Sequence, residues 1–126
     1  MRDKKLLAVV ELGGYPDFRS LYEQFGYEVV VESSIRKAIS LIKKNKFDVV
    51  VAEFNYRHTF RDRLSNLESI IAVSQTNDQL RFIVLYETEF DNHLDKLRKQ
   101  FQFNAEIAFP INEEKMRVAL QKLDQD

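Results

Sequence analysis

The stretch FGYEVVVESSIRKAISLIKKNKFDVVVAEF, residues 25–54, holds two short apolar runs with one amphipathic segment between them. The runs are YEVVV at 27–31 and FDVVVA at 47–52, both crowded with valine. Nearly continuous β-branched runs read as strands buried on both faces, and such strands belong to parallel sheets covered by helices. Between them Ser34 is placed to cap a helix, with Ile35, Ala38, Ile39 and Ile42 on one stripe at helical spacing. Gly26 is a good stop for whatever helix precedes. Strand, helix, strand in this order is one β–α–β unit, and its two strands run parallel.

The same alternation extends outward in both directions. Further runs are LLAVV at 6–10, FIVLY at 82–86 and a weaker AEIAF at 105–109. Pro16 suits the first turn of a helix carrying Phe18, Leu21, Tyr22 and Phe25. A third helix is predicted over 62–77 with Leu64, Leu67, Ile70, Ile71 and Ser74. A fourth begins near Asp91 with Leu94, Leu97 and Phe101. Asn112 can cap a fifth, with Glu113 and Glu114 at its positive end and Met116, Ala119, Leu120 and Leu123 facing inward. Five β–α units with right-handed crossovers predict a flavodoxin-like, doubly wound α/β fold over 1–126 as a single domain: a five-stranded parallel sheet in the order 2-1-3-4-5, with helices on both faces.

Composition narrows the function classes. The chain has 126 residues, 44% hydrophobic and 31% charged, the balance of a globular domain with a real core. Nineteen Lys and Arg against twenty Asp and Glu give a net charge of -1, which argues against a general nucleic-acid or anionic-membrane coat. With no cysteine there is no disulfide, thiolate metal site or cysteine nucleophile. No apolar run is long enough for a membrane span. The opening MRDKKLLAVVELGG is interrupted at Glu11 and carries no small-residue cleavage site, so a cytoplasmic protein is expected.

In such sheets ligands bind beyond the carboxyl ends of the strands. The residues of interest are therefore 11–14, 33–34, 53–58, 86–89 and 109–111. Gly13-Gly14 fits neither the dinucleotide nor the P-loop glycine pattern, and there is no nucleophile elbow, cobalamin motif or flavin-type loop. His58 and His93 have no second ligand at metal spacing. No cofactor and no small-molecule substrate are expected. Glu11, Glu53 and Glu87 fall near one sheet edge, where three carboxylates either hold a divalent cation or stay hydrated. The segment YRHTFRDR, 56–63, puts three arginines among Tyr56, His58 and Phe60. Arginine and aromatic residues dominate interaction hot spots, so Tyr56, Arg57, His58, Phe60 and Arg61 are candidate partner contacts. The alternative is a solvated loop.

Phe25-Gly26-Tyr27 enters the second run, Phe47-Asp48 the third, RFIVLYETE contains the fourth, and AEIAFPIN the fifth with its proline. In this order, over almost its whole length, the chain resembles the CheY-like receiver domain of two-component response regulators. The resemblance implies an acidic pair after the first strand that binds Mg²⁺ and an aspartate ending the third that is phosphorylated. It also implies a Thr or Ser after the fourth and a Lys before the fifth-strand proline that sense the phosphoryl group. At these positions the chain has Glu11 as its one acid, Glu53 as acceptor, Tyr86 for the hydroxyl and Phe109 for the lysine. Glu106 stands at the aromatic switch position and Arg57 at that of the proline following the acceptor.

Phosphoryl transfer needs a metal and a cation to neutralise charge developing on the phosphoryl oxygens. Phe109 supplies no cation, and the loss of a carboxylate weakens a Mg²⁺ site. The expectation is a degenerate pseudo-receiver: not an enzyme, independent of phosphorylation, acting through a protein partner or as a homodimer. Two alternatives stand beside it. One is a divergent active receiver phosphorylated by a histidine kinase with Mg²⁺; the other is a small flavodoxin-like ligand-binding domain. Glu53 itself is open to two readings, a built-in mimic of the phosphorylated state or a vestigial, solvated carboxylate. The surface of the fourth helix, fifth strand and fifth helix, where receivers dimerise and contact effectors, offers mixed charges that include Arg98, Glu106 and Lys115.

Overall fold

The computed structural model describes residues 4–55, 66–74 and 79–124. Five strands, β1 (Lys4–Val9), β2 (Tyr27–Glu32), β3 (Val49–Phe54), β4 (Arg81–Tyr86) and β5 (Ala105–Ala108), pair in the order β2-β1-β3-β4-β5. Every pairing is parallel. They alternate with α1 (Arg19–Gln24), α2 (Ile35–Lys44), α3 (Asn66–Ser74), α4 (Asp91–Arg98) and α5 (Glu113–Asp124). This is the doubly wound, flavodoxin-like sheet that the sequence predicts.

Side-chain alternation along the strands sorts the core into two layers. Leu6, Ala8, Val49, Val51, Ile83, Leu85 and Ile107 meet α1 and α5 on one face. Leu7, Val9, Val50, Ala52, Phe54, Phe82 and Val84 meet α2, α3 and α4 on the other. β3 lies at the centre and is buried at all six positions. Each valine there contributes roughly 1.5–3 kcal/mol by leaving water. The caps fall where expected: Ser34 Oγ accepts from Lys37 N at 3.3 Å, and Asn112 Oδ1 accepts from Lys115 N at 2.9 Å. The described part of α3 lies within the expected 62–77, whose two ends fall outside the described residues.

Two local expectations are corrected. α1 begins at Arg19, not near Pro16, because the Asp17 carboxylate accepts from the Arg19 N–H at 3.0 Å and starts the helix there. It ends as predicted at Gly26, whose φ of 90° is a left-handed stop. β3 also starts and ends two residues later than the 47–52 run. Its pairing with β4 continues through Glu53↔Leu85 and Phe54↔Tyr86, so Glu53 is a strand residue and not a loop residue. By alternation it shares the α1 and α5 face with Val49 and Val51. Both shifts act on one place: the delayed helix leaves a long segment after β1, and the prolonged strand holds Glu53 beneath it.

Candidate functional site

β1 stops pairing with β3 at Val9↔Ala52, and the chain then crosses above Glu53. The Glu53 carboxylate accepts from three successive backbone N–H groups: Leu12 at 3.0 Å on Oε1, and Glu11 at 3.1 Å and Gly13 at 3.3 Å on Oε2. Gly13 has a φ of 72°, so a side chain there would be strained in this backbone shape. The Tyr15 hydroxyl adds a 2.7 Å bond to Oε2, and Asn55 Nδ2 donates at 3.2 Å to Oε1. Asn55 also reaches Glu11 Oε1 at 3.4 Å.

Glu53 is consequently only 2% exposed, which rules out the solvated carboxylate. Burying a carboxylate is tolerated when its lone pairs are met by donors, and here five meet them. Consecutive N–H groups converging on one anion form a backbone nest. Tyr15 is locked in turn: its ring stacks on Phe18 (centroids 6.2 Å apart, 10° between planes) and tilts against Phe109 at 5.9 Å. Burial first, and then the bond to Glu53, push the Tyr15 phenol well above its ordinary value.

Chemically, this arrangement does not suit Mg²⁺. That cation requires oxygen ligands at short distance in near-octahedral geometry. At Glu53 the inward-facing groups are N–H and O–H donors, and both carboxylate oxygens are already engaged. Glu87 is exposed and does not join Glu11 and Glu53, and no cluster of three acidic, histidine or cysteine ligands forms among the described residues.

The remaining aligned positions lie apart from this clasp. Phe109 precedes Pro110 across a cis peptide and reaches Glu53 only indirectly, through the Tyr15 ring. Tyr86 lies on the α4 side, where the Arg98 guanidinium sits 5.5 Å from its ring centroid. Arg98 is in turn held by Glu106, with Nε at 3.0 Å from Oε1 and 3.1 Å from Oε2, and by Asp91 at 2.8 Å. The hydrogen bonds to Glu106 raise the Arg98 guanidinium further above its ordinary value, with Asp91 assisting against partial desolvation. Where the resemblance implies a hydroxyl and an aromatic switch, the chain has a ring under a cation and the carboxylate that holds that cation. Arg98→Ala is expected to cost about 1 kcal/mol, as a part-exposed ion pair network with a cation–π contact should. Thermal unfolding measures the loss, and altered Tyr86 ring resonances locate it.

Sequence reasoning missed Tyr15, and it placed Asn55 in the 53–58 segment and Lys115 on the α4–β5–α5 surface without assigning either a contact. Lys115 Nζ donates to the carbonyls of Pro110 at 2.7 Å and Ala108 at 3.1 Å, tying α5 to the end of β5. The only available signal was their place beside strand ends. The candidate contacts Tyr56, Arg57, His58, Phe60 and Arg61 lie outside the described residues.

No protein-family model matches the chain, and no curated protein sequence does. Solved structures do. A response regulator receiver domain from Clostridium thermocellum matches with a TM-score of 0.73 at 17% identity, over 97% of this chain and 95% of that one. The chain has the receiver fold. The Vibrio cholerae chemotaxis protein CheY4 shares it with a TM-score of 0.66 and 22% identity, over 94% of this chain and 97% of its own. A Burkholderia pseudomallei response regulator, described with a phosphorylated aspartic acid, a calcium ion and citrate, matches at 0.59 and 22% identity, over 94% of this chain and 67% of that one. Within the receiver fold, Glu53 occupies the end of the central strand, and the β1–α1 segment folds over it. No helix among the described residues is long and apolar enough to cross a membrane.

Proposed function

We propose that this chain is a receiver-like signalling domain that works without a phosphorylation cycle, through a protein partner or a second copy of itself, and catalyses no reaction. One observation carries the reading: the carboxylate at the expected acceptor position is filled by five donors, three of them main-chain N–H groups. A phosphoacceptor needs a free oxygen for attack and a cation beside it. Both Glu53 oxygens are taken by donors and no cation lies among those donors, and its amide nest does electrostatically what a metal would otherwise do for a buried acid. The Burkholderia pseudomallei protein, with its phosphorylated aspartate and calcium, marks the contrast.

The same bonds argue against Glu53 as a mimic of a phosphorylated residue. Its charge is spent on the segment after β1, while Lys115 binds carbonyls and Tyr86 lies under Arg98. The test is a titration of isotopically labelled protein with Mg²⁺ and then beryllofluoride. Amide resonances of Glu11, Glu53 and Tyr86 are expected to stay in place. Saturating shifts at these three residues would restore a working phosphoacceptor and overturn the proposal.

A further inference from the structure

The exposed surface holds one charge concentration that the Glu53 site does not use. Residues 33–47 contain Arg36, Lys37, Lys43, Lys44 and Lys46 and no acid. That leaves fourteen cations against twenty acids elsewhere, a net of -6 for the rest of the chain. All five cations are exposed, and none enters an ion pair among the described residues. The flanking acids are engaged locally: Glu32 accepts from the N–H groups of Ser33 and Ser34, and Asp48 from that of Lys5.

Helical geometry gathers this charge. At 100° and 1.5 Å per residue, Arg36, Lys37, Ser40, Lys43 and Lys44 fall within an arc of about 120° along about 12 Å of α2. The opposite side is committed to the core: Ala38 is buried, and Ile35, Ile39, Leu41 and Ile42 pack against the same layer. Lys43 and Lys44 suit the helix C-terminus, but Arg36 and Lys37 sit in the first turn, where the helix dipole disfavours cations and no acid offsets them. A helix shaped for its own stability would carry acids there.

We propose that the outer face of α2 is a docking surface for a short acidic segment of a protein partner. This rests on the reading of the chain as a protein-interaction module. Three features select that occupant. No apolar residue remains on the stripe to enter a bilayer. No aromatic ring lies on it for bases to stack upon. A long polyanion or a charged membrane would extend past the patch and meet the net -6 of the remaining surface. A short segment stays within a screening length of α2, about 8 Å at physiological salt, where five cations outnumber the two flanking acids, Glu32 and Asp48.

The experiment titrates the full chain, isotopically labelled, with a glutamate-rich six-residue peptide, a single-stranded oligonucleotide of equal charge and phosphatidylserine vesicles. The peptide is expected to shift amides of α2 saturably, with binding that weakens as salt rises. The combined Arg36→Glu, Lys37→Glu, Lys43→Glu and Lys44→Glu variant should lose at least about tenfold in affinity, since each decade is only 1.4 kcal/mol. The pair Arg36→Glu and Lys37→Glu provides a control for folding. It places acids in the first turn, so Tm should hold or rise while peptide affinity falls. Peptide affinity unchanged by reversal, no saturable peptide binding, or tighter binding of oligonucleotide or vesicle would each overturn the assignment. The beryllofluoride titration is read separately: a response there removes the phosphorylation-independent reading and leaves peptide binding to be judged by its own shifts.

Discussion

Glu53→Gln is expected to destabilise the protein by about 2–4 kcal/mol and lower Tm by about 8–16 °C. The cause is a mismatch of hydrogen-bonding character. A carboxylate accepts on both oxygens, and all five of its neighbours here donate. The replacing amide has one accepting oxygen and an NH₂ that donates. If the NH₂ takes the Oε2 position, it faces the N–H groups of Glu11 and Gly13 and the Tyr15 hydroxyl. If it takes the Oε1 position, it faces Leu12 N–H and Asn55. Either way at least two buried donors lose their partner, each at a cost of about 1–3 kcal/mol. Glu53→Asp is also expected to destabilise, by less, because its shorter stem draws the acceptor back from the loop. Hydrogen exchange at Glu11, Leu12 and Gly13 localises the effect, and a Tm unchanged by the glutamine variant would mean that the clasp does not hold in solution.

Alkaline pH is expected to produce the other large effect. Burial pushes Tyr22 well above its ordinary value, and burial with the Glu53 bond does the same to Tyr15. Tyr27 is raised as well, chiefly by burial. In the unfolded chain a tyrosine ionises near pH 10, whereas the folded state keeps the proton longer. The stability due to these groups is therefore complete below about pH 10 and drains away as pH climbs toward the folded values. The limiting slope is about 1.4 kcal/mol per pH unit for each such tyrosine, reached most nearly by the buried Tyr22. Phenolate absorbance should rise together with loss of circular dichroism. Tyr15→Phe should flatten the stability decline while removing one cooperative phenolate. If Tyr15 and Tyr22 ionised near pH 10 with the fold intact, the packing around them would be wrong.

The fold was legible because its evidence is local. The valine-rich 27–31 and 47–52 runs, the Ser34 and Asn112 caps and the Gly26 stop each describe a few neighbouring residues, and each marks its element, the 47–52 run with a shift of two residues. The site was less legible because its bonds span about forty positions. The place of Glu53 at the end of the third strand could be read from the order of elements. Its burial could not, since that depends on pairing with Leu85, on main-chain N–H groups that every residue has, and on a tyrosine brought close by the late start of α1. Pro16 pointed to an earlier helix start because its own preference is a weak signal beside the Asp17 turn. Ring packing of Tyr15 between Phe18 and Phe109 likewise joins two distant segments.

That three of the five groups around Glu53 are main-chain amides has a bearing on how this loop tolerates change. Leu12 donates its N–H to Oε1 while its side chain stands 68% exposed. Such a loop is written in length more than in letters: most exchanges of the Leu12 side chain leave the amide where it is. Proline at position 11 or 12 removes a donor outright, and an inserted or deleted residue carries the next amides out of reach. Two chains with this clasp need have little in common at 10–14 beyond the number of residues and glycines at the two left-handed positions, 13 and 14.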